Sequence, residues 1–393
     1  MIIVTEPIIW GDEHVPVNTG LLETVVRAFP GEPVRFYGEA GHIGLIRSLI
    51  DPADGADVDF RPVELPPRTP GFRGRMRHDL EFAGRLLADA AGSHLILASS
   101  CPSLIAALKL RGLRSSVRDV HVVLHGNLAS LWSWRSRNPV TRLTDLRTAM
   151  ALPSRLPVRY FVMEPAIRGE LLAALPGLDP ADIRVLPHPV SSVEAASAPA
   201  PVADGPLRIG FMGGATREKG FGEFLDIAAR AAGPGVEFHA AGRLGADMAG
   251  ADLGALASRP AAAKLGRRDY VEALARLHFV CMPYRGDHYR YSPSGVLADA
   301  LAFAKPMLAF DLPIFRDLFD RHGDIGYLCR DGEEMAALIR SGLSDTLGKG
   351  GRYRAQVEAV RAACAPRLAG RLKDDLRAAL AGAPGGQPLS LAS

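Results

Sequence analysis

Short runs of Val, Ile, Leu and Phe alternate with helix-patterned stretches along nearly the whole chain. That rhythm constrains the fold more than any other feature. Strand-like runs fall at 2–9, 33–40, 58–65, 94–100, 120–126, 159–165 and 183–190, with helical patterns over 21–30, 43–50, 79–91, 103–111 and 167–175. After residue 206 the rhythm restarts, with strands at 207–212, 236–242, 278–284 and 306–310 and helices at 221–232, 269–277, 294–304 and 313–321. Such alternation predicts α/β architecture with parallel sheets and right-handed crossovers. Between the two series, SSVEAASAPAPVADGP at 191–206 is small, rich in alanine and proline, and without period. It reads as a linker. The expected organisation is an N-terminal domain over 1–190, the linker, a second domain over 207–351, a basic helix over 352–381 and a disordered tail over 382–393. A chain of 393 residues is long enough for two cores.

Composition excludes several classes. Apolar residues make up 48% and charged residues 23%, as in a soluble globular protein. The net charge of +3 gives no case for nucleic acid. Cys101, Cys281, Cys329 and Cys364 lie far apart, with neither metal spacing nor a disulfide framework, so a reducing cytoplasm is expected. The start, MIIVTEPIIW, lacks a basic region and is too short for a membrane span.

Two stretches carry chemistry. LRIGFMGGATREKGFGEFLDIAARA at 207–231 is strand, glycine turn and helix, with Lys219 near the helix start. PYRGDHYRYSPSGVLADALAFAKP at 283–306 follows the strand HFVCMPY, and its loop opens a helix for which Ser292 is a fitting N-cap and Pro293 a fitting first residue. Free amides at a helix start favour a phosphate. Two such turns in one domain suit a diphosphate, whereas Gly210, Gly213 and Gly214 lack the spacing of a dinucleotide fingerprint. Each residue also has a plainer reading. Lys219, Arg217 and Arg243 could face water, and Ser294 with Gly295 could simply cap a helix. Asp299, within the apolar VLADALAFA, could lie on an exposed face.

Taken together, FMGGATREKG, HAAGR at 239–243, LGRRDYVEALARLHFVCMPY and SGVLADALAFAKPMLAF resemble the family 4 group of retaining nucleotide-sugar glycosyltransferases of the GT-B fold. The resemblance covers about 207–330. It implies two Rossmann-like domains facing a cleft. It also implies a nucleoside diphosphate sugar as donor substrate, no separate cofactor, no metal, and a sugar, lipid-linked or small-molecule acceptor. By resemblance Lys219, with Gly213, Gly214, Arg217 and Arg243, would meet the diphosphate. Gly266 and Arg267 would stand near the base, Ser294 and Gly295 would donate amides, and Asp299 would take the place of the carboxylate that bonds the ribose. The family's other carboxylate position falls on Tyr291, a departure, and Asp287 or His288 could fill its space. His125, at a strand end, would lie near the donor sugar, or be satisfied by local backbone. His14, Asn18, Thr19 and Gly20 read as a loop at the same edge. Tyr291 keeps a catalytically silent nucleotide-sugar or partner-binding module open, and a nucleotide-sugar epimerase shares the fold.

Residues 66–147 hold 13 Lys/Arg against five Asp/Glu, together with Trp132 and Trp134. This region reads as a peripheral contact with the inner face of a membrane, as a sugar-stacking surface, or as a solvated basic face.

Overall fold

The computed structural model describes residues 1–65, 71–133, 137–138, 141–198, 205–289, 291–292, 294–348 and 351–381. Among them the chain forms two compact units. One is Met1–Val193 with Tyr291–Pro293 and the segment from Pro366, and the other is Glu194–Arg290 with Ser294–Ala365.

The first unit holds a seven-stranded parallel sheet of β1 (Ile2–Thr5), β2 (Val34–Gly38), β3 (Val58–Pro62), β4 (His94–Leu97), β5 (Asp119–Val123), β6 (Val158–Val162) and β7 (Ile183–Val185). Its order is β3-β2-β1-β4-β5-β6-β7. Every residue of β1, β4 and β5 is buried, as a central strand covered on both faces requires. Strand β1 ends earlier than the apolar run to residue 9 suggests. The Glu6 amide bonds Tyr37 O at 2.8 Å, and Pro7 has no N–H to continue.

The first helix is Val15–Ala28 rather than 21–30. The predicted loop is therefore partly helical. Pro16 sits in the first turn, where a missing N–H costs nothing, and His14 precedes the helix in the left-handed region with φ 59°. Asn18, Thr19 and Gly20 lie on that helix and are buried, not on a solvated loop. The helix predicted over 79–91 begins at Phe72, its first turns held by Arg75–Asp79 and Arg77–Glu81 pairs one turn apart.

The second unit holds β8 (Leu207–Met212), β9 (Val236–Ala241), β10 (Phe279–Met282), β11 (Met307–Phe310) and β12 (Gly326–Cys329), in the parallel order β12-β11-β10-β8-β9. Phe211, Phe221, Phe224 and Phe238 pack β8 and β9 against the Phe221–Ala231 helix.

Two expectations change in the connecting regions. Ser192–Ala196, at the start of the alanine-rich stretch, is a helical turn with Glu194 buried; residues 199–204 lie outside the described ones. The basic helix 352–381 is two helices, Arg352–Cys364 and Ala369–Leu380, broken where Pro366 removes a donor. The second of these lays Leu372, Leu376, Ala379 and Leu380 into the core of the first unit. Tail residues 382–393 lie outside the described residues.

Candidate functional site

The carboxyl edge of the second sheet gathers most of the residues singled out above. Beyond β8, Gly213 has φ +83°, and a Cβ on it would lie 2.7 Å from Lys219 Nζ and 3.4 Å from Val296 Cγ2. The glycine turn, Lys219 and the start of the Gly295–Ala302 helix are thus packed together. Gly220, with φ +77°, brings the chain so close to the end of β10 that a Cβ would sit 1.9 Å from Pro283 O. Lys219 is buried under this turn, and Nζ donates to Met212 O at 3.0 Å. Burial lowers its pKa to about 8, against the opposing charge of Asp299. An ammonium has three donors, so one bond to a carbonyl does not exhaust it.

The cap of the Gly295–Ala302 helix is Ser294, not Ser292. Its Oγ accepts from Val296 N at 3.2 Å and pairs with Tyr284 OH at 2.9 Å. The register differs by two residues because Ser294 reaches the free amide two residues on, the geometry an N-cap needs. Gly295, the first helical residue, is exposed with nothing within 4 Å of a Cβ position. Pro293 lies outside the described residues.

One turn along, Asp299 Oδ1 accepts from Arg267 at 2.7 Å. Arg267 also meets Glu194 with two bonds, at 2.6 and 2.8 Å. Burial works against the Arg267 charge, but Asp299 and Glu194 outweigh it and raise its pKa, while burial raises that of Glu194 despite its arginine. Sequence reasoning missed Glu194 because it sits in a stretch that reads as linker. A lone glutamate among alanines and serines was the available signal. Arg267 opens the Arg267–Ala275 helix after Gly266, its N-cap, and lies over Tyr270 and Phe303 at 5.4 and 5.9 Å from the ring centroids.

Gly214, Arg217 and Arg243 are exposed around the same turn. The Arg217 amide bonds Asp247 at 2.8 Å, and the Arg243 carbonyl accepts from Ala215 N at 2.8 Å. Tyr291 is half-buried. Asp287 and His288 fall in the Gly286–Tyr289 helical turn, with side chains outside the described ones. Beside that turn a cavity of about 530 Å³ opens at the ends of β10, β11 and β12, with Glu223, Arg285, Asp311 and Arg330 on its wall.

In the first unit the carboxyl edge carries a buried polar network. His125 lies two residues beyond β5, and its Nε2 donates to Ala98 O at 2.7 Å, which leaves Nδ1 as acceptor. Burial, then the charges of His14 and His188, push its pKa well below the ordinary imidazole value. His14 stacks on His125 at 4.4 Å between centroids. Under the stack lies Glu6, fully buried, which no sequence pattern had singled out.

Other charged groups are structural. His94, Asp119 and His121 cluster at the opposite, amino edge of the sheet, where Asp119 also meets Arg159 at 3.0 Å. Part of the basic 66–147 region turns inward: Arg75 pairs with Asp79, and Lys109 donates to Met150 and Leu152 carbonyls. Arg68, Trp134 and Arg135, and the Trp132 side chain, lie outside what is described. No helix among the described residues is long and apolar enough to cross a membrane.

Residues 206–345 match the family model described as Glycosyl transferases group 1, a span that takes in all five strands of the second sheet. That segment is related to the glycosyl transferases of group 1. Among solved structures, Anabaena HepE in complex with UDP and glucose is similar over 97% of this chain and 99% of that one, at 13% identity and a TM-score of 0.64. A glycosyltransferase from Rickettsia africae covers 97% and 98%, at 10% identity and TM-score 0.62. The lipopolysaccharide outer core galactosyltransferase WaaB covers 96% and 98%, at 14% identity and TM-score 0.58. These likenesses, which span both units, show the GT-B fold. No curated protein sequence matches the chain.

Proposed function

We propose that this GT-B protein transfers a sugar from a nucleoside diphosphate sugar to an acceptor hydroxyl, with retention as the family resemblance implies and without a metal. The supporting observation is the packing of three anion-binding features at one sheet edge: the Gly213 turn, the buried Lys219 and the Ser294-capped helix start. In a doubly wound sheet this edge receives ligands. The leaving diphosphate would be neutralised there by Lys219 and the amides of Ser294 and Gly295. Asp299 would bond the ribose through the oxygen that Arg267 leaves unused, and Arg267 with Gly266 would flank the base. Arg217, Arg243 and Gly214 would border the diphosphate, while Asp287, His288 and Tyr291 would lie towards the sugar. HepE, described in complex with UDP and glucose and with UDP-glucose, makes UDP-sugars the first to try. The first unit would bind the acceptor, a sugar or lipid-linked molecule. A cytoplasmic place at the inner membrane face suits a lipid-linked one.

Tyr291 favours a second reading, a silent module that binds a nucleotide sugar without turning it over. A panel of UDP- and GDP-sugars, followed by calorimetry and product analysis, separates the two. Transfer or hydrolysis supports the first, binding alone the second, an isomerised donor an epimerase, and no binding refutes all three.

A further inference from the structure

At the amino edge of the first sheet, β4 opens on His94 and β5 on Asp119. The two strands run parallel, with His94 beside Asp119 and Ile96 beside His121. Side chains alternate along a strand, so Asp119 and His121, two residues apart, share a face. His94 meets Asp119 on that face. All three are buried, His121 completely. Asp119 Oδ1 lies 2.5 Å from His94 Nδ1 and 3.0 Å from His121 Nε2, and the three atoms lie within 4.8 Å of one another.

The plain reading is a hydrogen-bonded network around one carboxylate. It accounts for His94, and for Arg159, whose Nη1 donates to Asp119 Oδ2 at 3.0 Å. It does not account for His121. The Nε2 of that ring is near Oδ1 but off the line of a hydrogen bond, and neither of its nitrogens has a hydrogen-bond partner among the described residues. Phe161, stacked on the ring at 5.1 Å between centroids, holds it in this plane. A buried nitrogen without a partner is unfavourable, and here one is aimed at a carboxylate and a second imidazole.

We propose that His94 Nδ1, Asp119 Oδ1 and His121 Nε2 ligate a divalent transition-metal ion, zinc by their chemistry, which ties the starts of β4 and β5 together. Two imidazoles and a carboxylate suit zinc, and do not suit magnesium or calcium. Ligand atoms of a tetrahedral zinc stand about 3.3–3.6 Å apart, given bonds of about 2.0–2.2 Å. Oδ1 and the two nitrogens therefore part by up to about 1 Å to admit the ion. His94 then carries its proton on Nε2 and His121 on Nδ1, the tautomers that leave a lone pair for the metal. Arg159 keeps Oδ2 and fixes the ligating oxygen, as hydrogen bonds to a ligand carboxylate do. Its own charge lowers the affinity without blocking Oδ1. The His94 side chain is 11% exposed, so water on that side completes four-coordination. The ion is structural. It stands at the sheet edge opposite the one that carries His125, and the sugar-transfer reading neither needs it nor fails with it.

The test uses the untagged full-length protein, treated with a chelator and then titrated with zinc or cobalt(II). Calorimetry should show one ion per chain, and bound cobalt(II) should give the intense visible bands of a four-coordinate site. His121→Leu is close to the ring in volume and leaves no polar atom unpaired, so it should fold. His94→Gln, on the side nearer solvent, keeps a donor for Asp119. Each variant should bind either ion about 100-fold more weakly or worse, since each lacks a ligand. Zinc should raise the melting temperature of the parent and of neither variant, and magnesium should not displace it. No uptake by the parent, only the weak bands of six-coordinate cobalt(II), or parent-like affinity in either variant overturns the site. The cluster is then a hydrogen-bonded network alone. The parent's own cobalt(II) spectrum decides the matter even if a variant does not fold.

Discussion

Lys219 is the residue where charge and burial are most at odds. An ammonium inside a protein is unfavourable unless an anion meets it, and Met212 O supplies only a dipole. Lys219→Met should leave stability unchanged or slightly raised, because it removes that cost. Nucleoside diphosphate affinity should drop about tenfold to a hundredfold, the worth of one charge-assisted bond. Calorimetry with UDP and GDP reads both variant and parent, and equal affinities would remove Lys219 from the site. The same residue sets a pH dependence. Its pKa is lowered to about 8, so below that pH it is charged and attracts the diphosphate. Affinity should therefore decline as pH rises through 8, and Lys219→Met should lack that decline. Arg267 is the opposite case, a cation whose removal strands two acids. Arg267→Met leaves Glu194 buried without its partner and should cost roughly 2–4 kcal/mol, less than a fully buried pair because Arg267 is partly exposed. A melting curve that matches the parent would rule this out. Lys219 was legible in the sequence because a glycine turn preceded it. Glu194 and Glu6 were not, since burial of an isolated acid is decided by distant chain segments, here Arg267, and His14, Asn18 and Ser99.

At the scale of elements, the strands of both sheets were readable because central parallel strands are continuous apolar runs, and no other arrangement hides them so well. Boundaries were less readable wherever a local breaker signal was overruled. Gly and Pro in GDEHVPVNTG marked a loop, yet proline in a first turn is harmless and the helix runs through Asn18 to Gly20. The same ambiguity moved the cap from Ser292 to Ser294, since SPS offers two serines and only the tertiary path selects one. Gly220 is a position where the path itself needs glycine. Its Cβ would meet Pro283 O at 1.9 Å with φ at +77°. Gly220→Ala should cost roughly 2–6 kcal/mol from strain and overlap together and should abolish nucleotide binding, because it pushes the β8 and β10 turns apart. Gly222, in the helix that follows, has nothing within 4 Å of its Cβ position, so Gly222→Ala should be neutral or stabilise by up to about 1 kcal/mol. Thermal melts of the pair decide this, and similar melting points would remove the steric role.

At the scale of the whole molecule, chain order and compact units do not coincide. The chain leaves the first unit near residue 193, builds the second, and returns at Pro366. The sequence shows two αβ series but not this return, because Ala369–Leu380 carries apolar residues at helical spacing without saying which sheet they cover. They cover the first: Leu372, Leu376 and Leu380 pack with Leu21, Leu22 and Val25 of the opening helix, and Arg367 pairs with Glu164 at 2.7 Å, both side chains buried. Each leucine side chain taken from water contributes roughly 1.5–3 kcal/mol, so the three together contribute about 4.5–9 kcal/mol. That is comparable to the total stability of a typical domain, about 5–15 kcal/mol. A chain ended at Ala365 should therefore lose the cooperative unfolding of the first unit and expose apolar surface, while the second unit, whose residues all precede the cut, keeps its nucleotide affinity. A chain ended at Ala381 retains the helix and serves as the control. Circular dichroism melts, dye binding and calorimetry with UDP on the two truncations are the measurements. Parent-like melting of the shorter chain would show that the returning helix is dispensable, and loss of nucleotide binding in it would show that the second unit does not hold its site alone.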